Sequence, residues 1–165
     1  GRVALLATAL AKNLQPEIDE EALRALNWAA QLHEIGISIA HSGFHKHGAY
    51  ILENADMPGF SRRDQSRLAA LVRASRGGLG KLGYSPVDQN WPLILCLRLA
   101  VLFNSGRNNP SQPKMQLTCN HGACNLHLPA AWLKANLLTQ AALDDELKAW
   151  REVGPYFRLE QLQTD

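Results

Sequence analysis

The chain has 165 residues, 46% of them apolar and 19% charged, and a formal charge of +2 at pH 7. That is enough to bury roughly two thirds of the unfolded surface around one core without staples. No run of about 18 apolar residues is free of charge, which excludes a membrane-spanning helix, and no low-complexity tract suggests general disorder.

The Ala/Leu-rich residues 2–13 predict a first helix with Asn13 as its stop. Pro16 and Asp19 open a second, whose first turn holds Glu20 and Glu21, where carboxylates complement the helix dipole. Leu23, Leu26, Ala30 and His33 share one arc of it, so His33 ends the helix on its buried side. Gly36 breaks the run, and Ile35 to Gly43 reads as a loop rich in small residues and histidine. A third helix covers about 44–54, anchored by Ala49, Ile51 and Leu52. Pro58-Gly59 interrupts, and Ser61-Arg62-Arg63-Asp64 forms a capping box with Asp in place of Glu.

That box starts a fourth helix running to about Arg76, with Leu68, Leu71, Val72 and Ser75 on its inner stripe. Arg62, Arg63 and Arg73 point away from the stripe; Arg67 and Arg76 flank it. Gly77, Gly78, Gly80 and Gly83 predict a flexible loop. Trp91-Pro92 starts a fifth helix that is apolar all round to Phe103 except for Arg98, the mark of a central buried helix. An arginine there needs a buried acceptor, and Glu34 is the expected partner.

Asn104 to Pro113 is the one good boundary, dividing a helical domain (1–106) from a small α+β subdomain (107–165). Beyond it Met115, Leu117 and Cys119, then Leu126 and Leu128, alternate with polar residues around Asn120-His121-Gly122, which predicts a β-hairpin. Helices over about 129–136 and 139–152 and a strand at Tyr156–Leu159 complete a β-β-α-α-β unit. The fold class is therefore mainly α, followed by a small α+β subdomain. Trp28, Trp91, Trp132 and Trp150 fall on apolar helix faces, as core residues do.

The charge is uneven. Residues 1–60 carry four Lys/Arg against seven Asp/Glu, residues 61–114 nine against two, and residues 115–165 four against six. A basic middle between acidic ends points to an anionic partner, or to a solvated arginine face. Cys96, Cys119 and Cys124 are odd in number and share no repeated spacing, which argues against a disulfide framework and for a reducing compartment. Cys119, His121, Cys124 and His127 superficially resemble a zinc set. Strand alternation turns both cysteines inward and His127 outward, so the four cannot close a tetrahedron.

Four of six histidines lie within His33-Glu34, His41, His45 and His47. Leu32-His33-Glu34-Ile35-Gly36, His45-Lys46-His47-Gly48-Ala49-Tyr50-Ile51-Leu52, Leu71-Val72-Arg73 and Arg98-Leu99-Ala100 resemble the helical HD phosphohydrolase domain. Trp28 to Glu34, Ile39-Ala40-His41-Ser42-Gly43, Ala49 to Leu52 and Met57-Pro58-Gly59-Phe60-Ser61 resemble, in order and spacing, the C-terminal region of the exopolyphosphatase / guanosine pentaphosphate phosphohydrolase family.

The resemblance implies that catalysis and Mg²⁺ belong to N-terminal actin-like domains absent from these residues, that the substrate is inorganic polyphosphate or guanosine pentaphosphate, and that the protein is a cytoplasmic homodimer. The chain opens Gly1-Arg2-Val3, without Met or a signal-peptide pattern, and reads as a piece of such a protein. The HD-type set would be His33, Glu34, His45 and His47, but the HD Asp is replaced by Glu34 and the distal Asp by Val101, and no first His is visible. Losing ligands weakens a site for a hard divalent ion. We therefore expect no cofactor, no metal and no catalytic residue in this stretch. His33 reads instead as a helix C-terminal residue held by a hydrogen bond.

The expected polyanion-binding residues are His41, His45, Lys46, Arg62, Arg63, Arg67, Arg73 and Arg76, with His41 favoured because it sits between small residues and needs no core role. Two rivals stand beside this reading. One is a working HD hydrolase on the four-residue set, and the other is a purely structural dimerisation module.

Overall fold

The computed structural model describes residues 1–14, 17–80, 91–105, 112–120 and 122–163. Helices α1 (Arg2–Ala11), α2 (Glu20–Leu32), α3 (Phe44–Asn54), α4 (Arg62–Ala74) and α5 (Trp91–Phe103) come first. Strands β1 (Gln116–Asn120) and β2 (Ala123–Pro129), helices α6 (Ala130–Ala135) and α7 (Leu137–Arg151) and strand β3 (Phe157–Leu162) follow.

The helix ends obey local chemistry. Asp19 accepts the Ala22 N–H at 2.7 Å at the start of α2. The Ser61–Asp64 capping box closes in both directions on α4, and its hydrogen bonds from Ser61 hold the Asp64 carboxyl below the ordinary aspartate range. The predicted loop after α2 contains a 3-10 turn, Ile35–Ser38. Gly36 sits so close to α3 that a Cβ would collide with the backbone of Phe44 and Gly48. This close approach lets the turn pack flat on α3.

Helix α5 is the centre. All of Leu93 to Ala100, Arg98 included, is buried, and the helix touches α1, α2, α4 and α7. One continuous apolar core runs from α1 through α5 to Leu126, Leu143, Trp150 and Phe157. The hairpin has the register Leu117↔Leu126 and Cys119↔Cys124. The sheet order is β1-β2-β3, with β3 parallel to β2. The helix pair α6–α7 supplies the crossover that parallel neighbours require, and the parallel pairing went unpredicted.

Two expectations are corrected. Cys119 and Cys124 are joined in a disulfide. They face each other directly across the hairpin with Cα atoms 4.0 Å apart, the geometry of a closely spaced antiparallel pair. Counting cysteines could not show that two of the three share one register position. Cys96 alone is free, and burial pushes its thiol far above the ordinary range. The zinc reading loses its sulfurs to that bond, and His127 lies on the other face, against Thr118 and Glu160; His121 lies outside the described residues.

The second correction is the partner of Arg98. It is Glu146, not Glu34. Arg98 Nε and Nη2 donate to the Glu146 carboxylate at 2.7 and 2.9 Å, and Nη1 donates to the Ala74 carbonyl at 2.9 Å. Trp150 Nε1 adds a third bond to the Glu146 carboxylate at 2.8 Å. Glu34 is exposed and contacts His33 instead.

Among the described residues no helix is long and apolar enough to cross a membrane. The predicted boundary at 106/107 lies outside the described residues.

Candidate anion-binding cleft

The first turn of α3 and the last turn of α4 meet at a cleft of about 220 Å³ lined by Gly43, His45, Lys46, Arg73, Arg76, Gly77 and Gly78. Gly43, the N-cap of α3, adopts a left-handed φ of 68° and offers no side-chain cap. The helix therefore begins without an acidic residue or a capping oxygen over its exposed amides, where anions are favoured. On the facing side α4 ends at Ala74, and Gly77 turns the chain at φ 82°. A Cβ there would stand 3.3 Å from His45 Nε2, so glycine lets the turn close over the imidazole.

The electrostatics are one-sided. Arg76 stacks on the Phe44 ring at 4.6 Å, which orients its guanidinium beside the cleft. Among the described residues no carboxylate lies within ion-pair distance of Lys46, Arg73 or Arg76. His45 is held below the ordinary histidine pKa, first by partial burial and then by the charges of Lys46, Arg76, Arg98 and Arg73. Such crowding of cations is relieved by a bound anion.

The structure thus brings together four of the eight predicted polyanion residues: His45, Lys46, Arg73 and Arg76. His41 is exposed in the turn before α3 and does not line this cleft. Arg62 and Arg63 lie at the opposite end of α4, about 16 Å away along the helix axis. There Arg62 shares a different cleft with Glu53 and Asp56. Arg67, midway, is partly buried. Gly77 and Gly78 were read only as a flexible loop; their role as a cleft wall depends on the tertiary approach of α3.

The HD-type set does not assemble. His33 is buried at the end of α2, its Nδ1 2.6 Å from the Ala30 carbonyl and its Nε2 3.2 Å from Glu34. Both ring nitrogens thus have protein partners, and the helix-end role expected from the sequence holds. His45 faces the basic cleft. Among the described residues no three His, Cys, Asp or Glu side chains converge in a way that could hold a metal ion. A magnesium ion does not fit this donor set, and the cleft's lining is cationic.

Glu146 is the buried partner of Arg98 that sequence reasoning missed. The signal was present. It shares the inward stripe of α7 with Leu143 and Trp150, whereas Asp144 and Asp145 are exposed.

Among the described residues, seven helices and a small three-stranded sheet, with a cleft lined by Lys46, Arg73 and Arg76, define a mainly α domain with a small α+β part. Residues 1–147 match the family model of Ppx/GppA phosphatase, domain III. The chain belongs to that family. It is 34% identical over 157 residues to a guanosine-5'-triphosphate,3'-diphosphate pyrophosphatase of Pseudoalteromonas translucida, covering 88% of this chain and 31% of that protein. It is 32% identical over 159 residues to the Vibrio cholerae protein of that name, covering 93% and 32%. The chain thus spans about a third of the curated relatives it matches.

Proposed function

We propose that the chain is the C-terminal substrate-binding and dimerisation portion of a phosphohydrolase that releases terminal phosphate from inorganic polyphosphate or guanosine pentaphosphate. The names of the relatives support guanosine pentaphosphate as a substrate of the whole enzyme. Bond breaking and its Mg²⁺ belong to N-terminal actin-like domains outside this chain, and the enzyme works in the cytoplasm. Residues 1–106 form an HD-like helical domain and residues 107–165 the small α+β subdomain. Large exposed apolar side chains such as Leu138, 90% accessible, support a partner surface, here a second copy in a homodimer.

One observation carries the substrate-binding reading: His45, Lys46, Arg73 and Arg76 crowd one cleft with no carboxylate among the described residues to neutralise them. A phosphate chain would bring the missing negative charge. Binding would be dominated by counterion release and would therefore weaken steeply with salt. The chain's own residues bind and orient; they supply no nucleophile or general acid to the reaction.

The test is calorimetric titration of inorganic tripolyphosphate into the chain at 50 and 200 mM salt, for wild type, Arg73→Ala/Arg76→Ala and Arg62→Ala/Arg63→Ala. The reading requires binding at low salt that the first pair abolishes or greatly weakens. No binding at low salt would leave a purely structural dimerisation module.

A further inference from the structure

Glu146 is 8% exposed and Arg98 7%, so a carboxylate and a guanidinium are both withdrawn from water between α5 and α7. The carboxylate takes three hydrogen bonds, two from Arg98 and one from Trp150. Arg98 has one further donor in use, Nη1, and it goes to the carbonyl of Ala74. That carbonyl is in the last turn of α4, where helical carbonyls lack partners of their own. The residues that follow it, Arg76, Gly77 and Gly78, are one wall of the basic cleft.

We infer that Glu146 is a positioning residue for the cleft: it orients Arg98, Arg98 holds the Ala74 carbonyl, and the turn 75–78 is thereby set against His45 and Lys46. The inference rests on the reading that this cleft binds a phosphate chain. It gives the C-terminal subdomain a part in binding although none of its described residues lines the cleft. The bond to Ala74 satisfies a buried donor and also ties the clasp to the turn that walls the cleft. Two hydrogen bonds in parallel fix the guanidinium plane, and this plane aims Nη1.

The decisive variant is Arg98→Met/Glu146→Leu, which removes both buried charges and restores apolar packing while releasing the Ala74 carbonyl. Leu128→Ala removes a buried side chain of β2, outside both α5 and α7, and serves as control. Tripolyphosphate affinity and the backbone amide NMR shifts of Ser75 to Gly78 are measured on folded protein. Positioning predicts about fivefold weaker binding in the double variant, with displaced amide signals at Ser75–Gly78, and wild-type values for both in Leu128→Ala. Wild-type affinity and unmoved signals in a folded double variant would overturn the inference.

If the double variant does not fold, Trp150→Phe removes the indole donor together with some buried ring volume and carries the same comparison with smaller shifts; unmoved amides there would also overturn it. If wild type fails to bind tripolyphosphate, the binding reading falls, while the amide shifts still decide whether the clasp sets the turn.

Discussion

The interior of the molecule and its basic cleft treat arginine in opposite ways. Arg98 is buried and meets a carboxylate in two parallel bonds, a backbone carbonyl and, through Glu146, an indole. Arg73 and Arg76 stand on the surface of the same helical bundle without a carboxylate at ion-pair distance among the described residues. Burial forces the first arrangement, because an unpaired interior charge is costly. Water tolerates the second. The fold accounts for the paired interior cation, whereas the surface cluster is the feature on which the proposed polyanion binding rests.

The contrast is broken most severely at the clasp. Glu146→Leu alone should destabilise the chain by about 3–5 kcal/mol, because Arg98 is left buried and charged. Adding Arg98→Met should recover most of that, as read from urea denaturation midpoints. If the single and double variants were equally unstable, packing at position 146 rather than charge pairing would be the main term. The disulfide provides a smaller stability effect elsewhere in the subdomain. Cys119→Ser/Cys124→Ser should cost about 2 kcal/mol for so short a loop. Mass spectrometry of alkylated protein from cells tests the bond itself; wholly free thiols would show that it does not form in the reducing cytoplasm proposed for the enzyme.

At the cleft the expected pattern is reversed. Arg73→Ala/Arg76→Ala should cost no more than about 1 kcal/mol of stability, mostly the Arg76–Phe44 stacking. It should also flatten the salt dependence of tripolyphosphate binding by about one unit of logarithmic slope for each lost contact. Arg62→Ala/Arg63→Ala should change binding less, since acidic Glu53 and Asp56 share the cleft with Arg62.

The mildest effect concerns pH. His45 is held below its ordinary pKa in the free protein. The unfolded chain therefore takes up a proton first as pH falls, and this group's contribution lowers stability from about pH 6.5 downward. A bound anion favours the imidazolium. Tripolyphosphate affinity should therefore rise as pH falls from 7 toward 5.5, with proton uptake in calorimetry across buffers of different ionisation heat. His45→Gln should remove that uptake.

Much of the fold was legible because its signals are local. Asp19, the Ser61–Asp64 box and Trp91-Pro92 each mark a helix start by backbone chemistry within four residues. The alternation from Met115 to Leu128 marked the hairpin in the same way. What escaped were relations between distant segments. Arg98 clearly needed an acceptor, and the sequence reading names Glu34; the inward stripe of α7 marked Glu146 as buried, but the packing of α7 on α5 is what brings it to Arg98. The parallel pairing of β3 and the opposition of Cys119 and Cys124 are likewise matters of register. At the cleft, helical position correctly turned Arg73 away from the inner stripe, whereas Arg76, read as flanking that stripe, lies exposed just past the end of α4. Nothing in the sequence said that α3 would deliver His45 and Lys46 to them and leave His41 and Arg62 elsewhere.

The most direct measurement is tripolyphosphate titration of the wild-type chain beside Arg73→Ala/Arg76→Ala, with inorganic phosphate release followed in the same samples. The account predicts binding that declines steeply between 50 and 200 mM salt, is largely lost in the variant, and liberates no phosphate. Binding indifferent to salt and to both arginines, or phosphate released by the chain alone, would contradict it.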